Sequence, residues 1–252
     1  MQNNVTLDFG YPWWLSYGHV VLLIPALAAL GVGAARKWPR WMLATLGVTA
    51  LWSAASLVVL RNFNADGRAA MPTENFLKSG AGKVLDIGAG TGRSSIMVLD
   101  ARPQATLVAL DRFGESFEHH FGHGHEPEQR LLSNLQAAGV ERRASIVSAD
   151  MRKLPFNDAS FDGVVSAYAM DHLPREGSKQ ALAEAARVLK PGGDFLLMLV
   201  YNDRWTRFAF GPALSHGGTR PSSWWRASLE EAGFRVLEEG TRPATLYFLL
   251  RR

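Results

Sequence analysis

The fold is decided by the stretch Lys83-Val84-Leu85-Asp86-Ile87-Gly88-Ala89-Gly90-Thr91-Gly92-Arg93. Residues 84–87 form a short apolar run that predicts a buried strand, and the three alternate glycines permit a tight turn into a helix. A dinucleotide fingerprint requires a third glycine three residues after the second, where this chain has Arg93, and a P-loop requires Gly-Lys-Ser/Thr, which is absent here. The stretch therefore predicts a strand, turn and helix that hold a different nucleotide-like ligand.

Two later apolar runs end in acidic residues at the spacing of a doubly wound sheet. Residues 106–110 lead into Asp111, 23 positions after Gly88, and residues 145–149 lead into Asp150. A carboxylate after the second strand can accept hydrogen bonds from both hydroxyls of a ribose. We therefore predict that Asp111 binds a ribose.

These motifs together resemble the class I S-adenosylmethionine (SAM)-dependent methyltransferases. The resemblance covers residues 70–252, because residues 161–166 resemble the fourth strand of that family and residues 187–200 resemble its next helix, turn and fifth strand. It implies an α/β fold, with a seven-stranded doubly wound Rossmann-like sheet and SAM as the cofactor. The glycine turn would pass beneath the methionine part of SAM.

The resemblance also implies which residues bind SAM. Asp150 would accept a hydrogen bond from the adenine amino group, and Met151 would pack on the adenine ring. The predicted cofactor-binding residues lie in the glycine turn or at strand ends: Asp86, Gly88, Gly90, Gly92, Asp111, Arg112, Asp150, Met151 and Ala167.

The turn after the fourth strand supplies two candidate catalytic residues, His172 and Tyr168. In the family, a histidine often stands at the position of His172, and there it would act as a general base. The alternative is that His172 only fixes the turn before the helix that follows Pro174. Tyr168 would contact cofactor or substrate. A dedicated base is optional, because a thiol ionises readily near neutral pH whereas a phenol or an ammonium must first lose a proton.

A histidine-rich segment follows the second strand. Residues 115–126 contain four histidines and three glutamates. They could form a metal site, a lid on the substrate side, or a solvated loop. Gly122 and Gly124 disrupt the helical geometry that would align His119 with His123, and methyl transfer from a sulfonium needs no metal. We therefore predict no metal site.

The first sixty residues differ in composition from the rest of the chain. They contain four charged side chains, whereas the remaining 192 residues carry 24 basic and 22 acidic ones. Residues 13–35 and 41–60 are uncharged if His19 is neutral, and as helices each would span about 30 Å of hydrocarbon. Aromatic residues flank both runs, as at membrane interfaces. We predict a membrane-anchoring helical hairpin at 1–60, a linker at 61–82 with a short helix within residues 73–78, and a methyltransferase domain at 83–252.

Two alternatives to the membrane hairpin are a pair of helices buried against a soluble enzyme and a cleaved signal peptide. The signal peptide is disfavoured, because no basic region precedes the first run and a second run follows it. The orientation of the hairpin raises a conflict. The positive loop at residues 36–40 favours the cytoplasm, which would place the catalytic domain of a spanning hairpin outside. SAM is made in the cytoplasm, so we predict a membrane protein with a cytoplasmic catalytic domain. A hairpin that dips into one leaflet would keep both the positive loop and the catalytic domain on the cytoplasmic side.

Net charge and cysteine content limit the partners. The net charge is +4, but the basic residues form no run of five or more, so membrane lipids rather than nucleic acid are the expected counter-surface. The chain contains no cysteine, which excludes disulfides and thiolate metal sites. The aromatic and basic segment at residues 201–212 either lines an apolar substrate pocket, with Trp205, Phe208 and Phe210, or packs against the hairpin.

The predicted function is a membrane-anchored SAM-dependent methyltransferase. Its substrate would be an apolar or lipid-soluble small molecule that accepts the methyl group on oxygen, nitrogen or sulfur. Small or hydrophobic thiols are an alternative substrate class. A SAM-binding regulatory or assembly protein without turnover is an alternative function. The identity of the acceptor and the oligomeric state stay open.

Overall fold

The computed structural model describes residues 6–64, 66–113, 127–210 and 220–252. These residues form two compact units. We call one the sheet unit, which comprises residues 6–10, 66–113, 127–201 and 220–252. The other is the helical unit, which comprises residues 11–64 and 202–210. Residues 6–10 therefore belong with the sheet although they precede the hydrophobic helices, and residues 202–210 belong with the helices although they follow the fifth strand.

The sheet unit contains the predicted seven-stranded Rossmann-like sheet. The strand order is β3-β2-β1-β4-β5-β7-β6, in which β1 to β5 are parallel and β7 lies antiparallel between β5 and β6. The strands are β1 Ala81–Ile87, β2 Gln104–Asp111, β3 Ala144–Ser148, β4 Phe161–Ala167, β5 Leu189–Val200, β6 Arg235–Arg242 and β7 Thr245–Arg251. Because β1 to β5 are parallel, their carboxyl ends meet at one edge of the sheet, and the predicted binding residues lie at these ends or directly after them.

Eight α-helices occur in the described ranges, numbered here in chain order. They are α1 Trp14–Tyr17, α2 Val20–Ala35, α3 Arg40–Phe63, α4 Arg93–Ala101, α5 Pro127–Ala138, α6 Arg175–Val188, α7 Arg204–Phe210 and α8 Ser222–Glu231. Gly139 follows α5 with a φ of +73°, a left-handed conformation that is common for a glycine at the end of a helix.

Parallel strands are covered by helices on both faces, so they read as continuous apolar runs. In β1, Val84, Leu85 and Ile87 are completely buried. In β5 the run Phe195, Leu196 and Leu197 is buried in the same way. This is the physical reason that the strands were visible in the sequence as short apolar segments.

The helical unit consists of α1, α2, α3 and α7. Its α2 and α3 pack against each other, and α7 packs against α3. Two helical stretches, Trp14–Ala35 and Arg40–Phe63, are long and apolar enough to cross a membrane, and most of their apolar residues are not buried within the structure. The aromatic segment after β5 thus packs against the hairpin, which is one of the two alternatives that the sequence left open.

The short helix predicted within residues 73–78 is wrong. Residues 74–79 form turns, and Leu77 has a φ of +45°, which no α-helix contains. Its N–H donates to Asp194 Oδ2 at 3.0 Å instead of to a helical carbonyl. The buried guanidinium of Arg102 donates hydrogen bonds to the carbonyl groups of residues 74, 76 and 77. Tertiary hydrogen bonds have therefore replaced the local helical ones.

Candidate functional site

The glycine turn lies at the carboxyl end of β1. Gly88, Gly90 and Gly92 have φ values of +75°, +54° and +91°, which L-residues with a Cβ adopt only at a cost. A Cβ on Gly88 would lie 2.2 Å from the Cβ of Ala169, and one on Gly92 would lie 2.5 Å from Leu131 Cδ1. The turn therefore requires glycine both for its backbone conformation and for its close packing.

Asp86 anchors the turn from below. Its side chain is completely buried, and Oδ2 accepts hydrogen bonds from the hydroxyls of Ser94 and Ser95 at 2.7 and 2.6 Å. Oδ1 has no hydrogen-bond partner in the described part of the chain. Burial raises the pKa of Asp86 to about 6 despite the two serine hydroxyls. The carboxyl group thus ties the end of β1 to the first turn of α4 and keeps one polar atom free.

Asp111 lies beside the glycine turn, as its predicted role requires. Its Oδ2 accepts the N–H of Gly90 at 2.8 Å, and its Oδ1 accepts the N–H of Arg112 at 2.6 Å. Its Oδ1 also accepts the N–H of Phe113 at 3.5 Å, and its Oδ2 keeps a second lone pair for a ligand hydroxyl. The structure therefore brings Asp111 and the glycine turn together, while the Arg112 side chain is exposed.

Asp150 and Met151 are placed differently from each other. Both oxygens of Asp150 are held by the Arg152 guanidinium, with 2.6 Å from Nη2 to Oδ2, and these hydrogen bonds lower the pKa of Asp150 to about 2. Met151 Cε lies 3.4 Å from the position that a Cβ on Gly88 would occupy. The structure thus brings Met151 to the glycine turn, whereas the hydrogen bonds of Asp150 in the described part of the chain are with Arg152.

The turn after β4 contains a strained tyrosine. Ala167 ends the strand, and Tyr168 follows with a φ of +55°, which costs a non-glycine residue about 1–2 kcal/mol. Such strain persists where the surroundings over-determine it and is concentrated at functional sites. The Tyr168 hydroxyl is hydrogen-bonded to Thr245 Oγ1 at 2.6 Å, and its N–H donates to the Met198 carbonyl. Tyr168 is therefore held at the carboxyl edge of the sheet.

His172 is exposed, on the 3-10 turn Met170–His172. The buried polar group of that turn is its neighbour Asp171, whose Oδ2 accepts the N–H of Val200 at 2.9 Å. The charge of Asp171 also acts on Arg220. Burial lowers the pKa of Arg220, and the negative charge of Asp171 raises it. Reasoning from the sequence missed Asp171, because the neighbouring histidine matched a familiar pattern.

The second missed feature is the N-terminal strap, residues 6–10. The N–H of Asp8 donates to Asn134 Oδ1 at 2.8 Å, and Asn134 Nδ2 donates to the carbonyls of Asp8 and Thr91 at 2.7 and 2.9 Å. The Thr91 hydroxyl donates to the carbonyl of Phe9, whose side chain is buried. Asn134 therefore fastens the strap to the glycine turn. The only sequence signal was Asp8, which is the one charged residue before Arg36.

The histidine-rich segment at residues 115–126 lies outside the described residues. Within the described ranges, no group of three or more histidine, cysteine, aspartate or glutamate side chains could hold a metal ion. An open cavity of about 350 Å³ lies among Lys78, Asp162, Lys190 and Arg251. It is at the amino edge of the parallel strands, opposite the glycine turn, so it is not the predicted cofactor site.

Comparison with known proteins agrees with this geometry. A protein family described as "Methyltransferase domain" matches residues 84–193. The ubiquinone/menaquinone biosynthesis C-methyltransferase UbiE of Bartonella tribocorum is 37% identical over 117 residues, which cover 46% of this chain and 40% of that protein. The sterol 4-C-methyltransferase strm-1 of Caenorhabditis elegans is 30% identical over 115 residues, covering 45% and 29%. This chain therefore spans less than half the length of these relatives.

A solved structure resembles most of the chain. An O-methyltransferase family protein from Burkholderia thailandensis matches with a TM-score of 0.57 and 17% identity, covering 94% of this chain and 71% of that one. At this identity the likeness shows the fold alone.

Proposed function

Because this chain carries a methyltransferase domain of the class I SAM-dependent family, we propose that it is a membrane-associated enzyme that methylates an apolar, lipid-soluble small molecule. The observation that carries the proposal is the exposed apolar surface of the helical unit. Val48, Leu51 and Val58 of α3 are each more than 60% exposed, and residues of α2 are similarly exposed. Contiguous apolar surface of this kind marks a protein or membrane interaction site.

S-adenosylmethionine is the cofactor of this domain, and the residues of the glycine turn fit it. Gly88 and Gly92 lie too close to their neighbours to carry a side chain. The Oδ2 of Asp111 keeps a lone pair for a ribose hydroxyl, and Met151 lies over Gly88. In the proposal these residues hold the methionine, ribose and adenine parts in turn. The cofactor supplies a methyl group already activated by a positively charged sulfur.

The remaining task of the protein is to position the acceptor and exclude water. Tyr168 is proposed to form one wall of the acceptor site, because its backbone conformation and its bond to Thr245 fix its direction. His172 is exposed and could exchange a proton with solvent, so it is the candidate base for an acceptor that must lose one. An acceptor that is already nucleophilic would not require it.

The relatives favour a lipid-soluble acceptor. The two relatives are named for ubiquinone/menaquinone biosynthesis and for sterols, and such compounds partition into bilayers. Both names specify methylation of carbon, so the proposal includes carbon beside oxygen, nitrogen and sulfur. Thiols stay the alternative substrate class.

We place the sheet unit on the cytoplasmic side of the membrane in this proposal, because SAM is made there. Residues 6–10 belong to the sheet unit, and the chain re-enters that unit at Asp66. Two spanning helices between these points return the chain to the side from which it left. The positive loop at residues 36–40 would then face the opposite side, unless the hairpin enters only one leaflet. Protease added to sealed vesicles whose cytoplasmic face is inside should leave the C-terminus intact; its cleavage would contradict this placement.

Methyl transfer can be tested with methyl-labelled SAM. The full-length protein in detergent is mixed with labelled SAM and a bacterial membrane lipid extract, and the label is followed into the organic phase. We expect label in a lipid-soluble product, and none with the Asp111→Ala variant. Label in an aqueous small molecule or in protein would contradict the lipid-soluble acceptor. SAM binding without transfer to any fraction would favour the binding protein without turnover.

A further inference from the structure

Helix α7, Arg204–Phe210, starts with its own cap. Asp203 Oδ1 accepts the N–H of Thr206 at 2.7 Å and its hydroxyl at 2.9 Å, which is the standard satisfaction of a helix N-terminus by a capping carboxylate. The carboxylate of Asp203 therefore caps the first turn of α7 locally. Its other end is different.

The C-terminal carbonyls of α7 are capped by side chains of the hydrophobic helices. His19 Nε2 lies 2.6 Å from the carbonyl oxygen of Ala209, and Trp52 Nε1 donates to the carbonyl oxygen of Phe208 at 2.9 Å. The last carbonyls of a helix have no partner within it. Water satisfies them at an ordinary surface, but inside an apolar layer only protein donors can do so. Two such donors, one from each side of the hairpin, are what a helix end at the border of a bilayer requires.

The outward face of α7 has the composition of a membrane interface. Trp205 is 48% exposed and Phe208 is 41% exposed, and both lie beside exposed arginines. Phe210 contacts Trp14 edge to face, with 6.4 Å between ring centroids, so α7 joins the aromatic residues at the start of the hairpin. Tryptophan and arginine at one level are typical of the zone between hydrocarbon and headgroups.

The charge of the helical unit indicates the sign of its partner. Its described residues carry six basic side chains and one acidic side chain, Asp203, which is occupied by the cap of α7. The basic ones are Arg36, Lys37 and Arg40 in the loop, and Arg61, Arg204 and Arg207 elsewhere. Basic residues near a bilayer surface are attracted to anionic lipid headgroups.

We propose that α7 is a third membrane element, an interfacial helix that lies at the bilayer surface and binds anionic lipid headgroups through Arg204 and Arg207. This rests on the membrane placement of the helical unit in the proposed function.

Labelling tests this directly, since the natural chain has no cysteine. Single-cysteine variants Trp205→Cys and Phe208→Cys of the full-length protein are labelled with an environment-sensitive fluorophore and reconstituted into phosphatidylcholine vesicles, with or without phosphatidylglycerol. Leu51→Cys in α3 is the embedded control. Leu132→Cys in α5, an exposed leucine of the sheet unit, is the aqueous control. Quenching is measured with headgroup-linked nitroxide lipids and with aqueous iodide.

We expect the labels at positions 205 and 208 to be quenched by the nitroxide lipids and protected from iodide, unlike the label at 132. A label at 208 that behaves like that at 132, while the label at 51 is buried in lipid, would overturn the proposal alone. Iodide access to the label at 51 would overturn both this proposal and the membrane placement. If the labels at 205 and 208 are quenched as expected but no methyl group reaches a lipid-soluble product, only the proposed function is contradicted.

Two further variants test the cap and the charge. Trp52→Phe removes the N–H donor and keeps an aromatic ring, so iodide quenching of the label at 208 should rise several-fold. Trp41→Phe, the same change at an exposed position of the same helix, should leave it unchanged. Replacing both Arg204 and Arg207 with glutamine should abolish the extra nitroxide quenching that phosphatidylglycerol confers. Equal quenching in both lipids before the replacement would contradict headgroup binding.

Discussion

The two units of this molecule use apolar residues in opposite ways. In the sheet unit, strands such as β1 and β5 carry apolar runs that are completely buried between helices. In the helical unit, residues of the same chemical kind point outward, and Leu51 is 73% exposed. Burial of apolar surface from water is the main driving force of folding. The sheet unit therefore supplies its own apolar environment, whereas the helical unit is suited to one supplied by a bilayer.

Two glycines, one from each unit, differ in how tightly they are packed. The sheet unit places Gly88 against Ala169, and a Cβ on Gly88 would be 2.2 Å from the Cβ of that alanine. A Cβ added to Gly47 in α3 would meet no neighbouring atom within 4 Å. Gly88 is therefore required by contact, and Gly47 is not. Substitutions can test this difference directly.

Gly88→Ala should have the largest effect of those we predict. Overpacking costs about 1–3 kcal/mol and the positive φ about 1–2 kcal/mol more, so we expect lost SAM binding by calorimetry and a clear fall in melting temperature. Gly139→Ala has nearly the same φ, +73°, but open space, and should show only the smaller backbone cost. Gly88→Ala combined with Ala169→Gly should recover part of the loss. No recovery would show that contact with Ala169 is not the cause.

Leu51→Arg should nearly abolish membrane association. A charged residue near the centre of a membrane helix costs about 3 kcal/mol, so the partition coefficient between vesicles and water, measured by flotation, should fall about a hundredfold. The matched control is Leu132→Arg in α5, where the leucine is 42% exposed in the sheet unit, and we expect no change. If Leu51→Arg had no effect either, the outward apolar face would have to be covered by something other than lipid.

Asp86→Asn should change how stability depends on pH. Burial raises the pKa of Asp86 from 3.8 to about 6 in the folded protein. Its charged form is therefore disfavoured by folding, and stability falls as pH rises from about 4 to about 6, by about 3 kcal/mol in all. The asparagine variant lacks this fall, so its stability relative to wild type should rise across that range in urea unfolding.

Asp150→Asn is the control of opposite sign. The pKa of Asp150 is lowered to about 2 by Arg152, so its contribution is present above pH 4 and is lost as pH falls toward 2. Its difference from wild type should stay constant between pH 4 and 7. A difference that changes in that range would contradict the assignment of the pH dependence to Asp86.

How much was visible in the sequence depended on whether the interaction was local. Apolar runs, the glycine turn and Asp111 follow one another within a strand and its turn, so periodicity and spacing revealed them. The strap was not visible, because Asp8 and Asn134 are 126 residues apart. The prediction of a short helix at residues 73–78 was wrong, because the guanidinium of Arg102, which is distant in sequence, donates hydrogen bonds to the carbonyl groups of this segment. Arg152 was missed as the partner of Asp150, since no periodic pattern indicates it.

Asn134→Leu should give the smallest effect, and it tests the strap through which the chain passes from the sheet unit to the helices. Leucine has a similar volume but cannot satisfy the N–H and carbonyl of Asp8 or the carbonyl of Thr91. Unsatisfied buried groups cost about 1–3 kcal/mol, and release of the strap into water would lower this cost. We therefore expect faster hydrogen exchange in residues 6–10 and a several-fold loss of SAM affinity. Thr91→Val, which removes only the hydroxyl bond to Phe9, should act in the same direction and less strongly. Faster exchange with unchanged SAM affinity would show that the strap anchors the leader without shaping the cofactor turn.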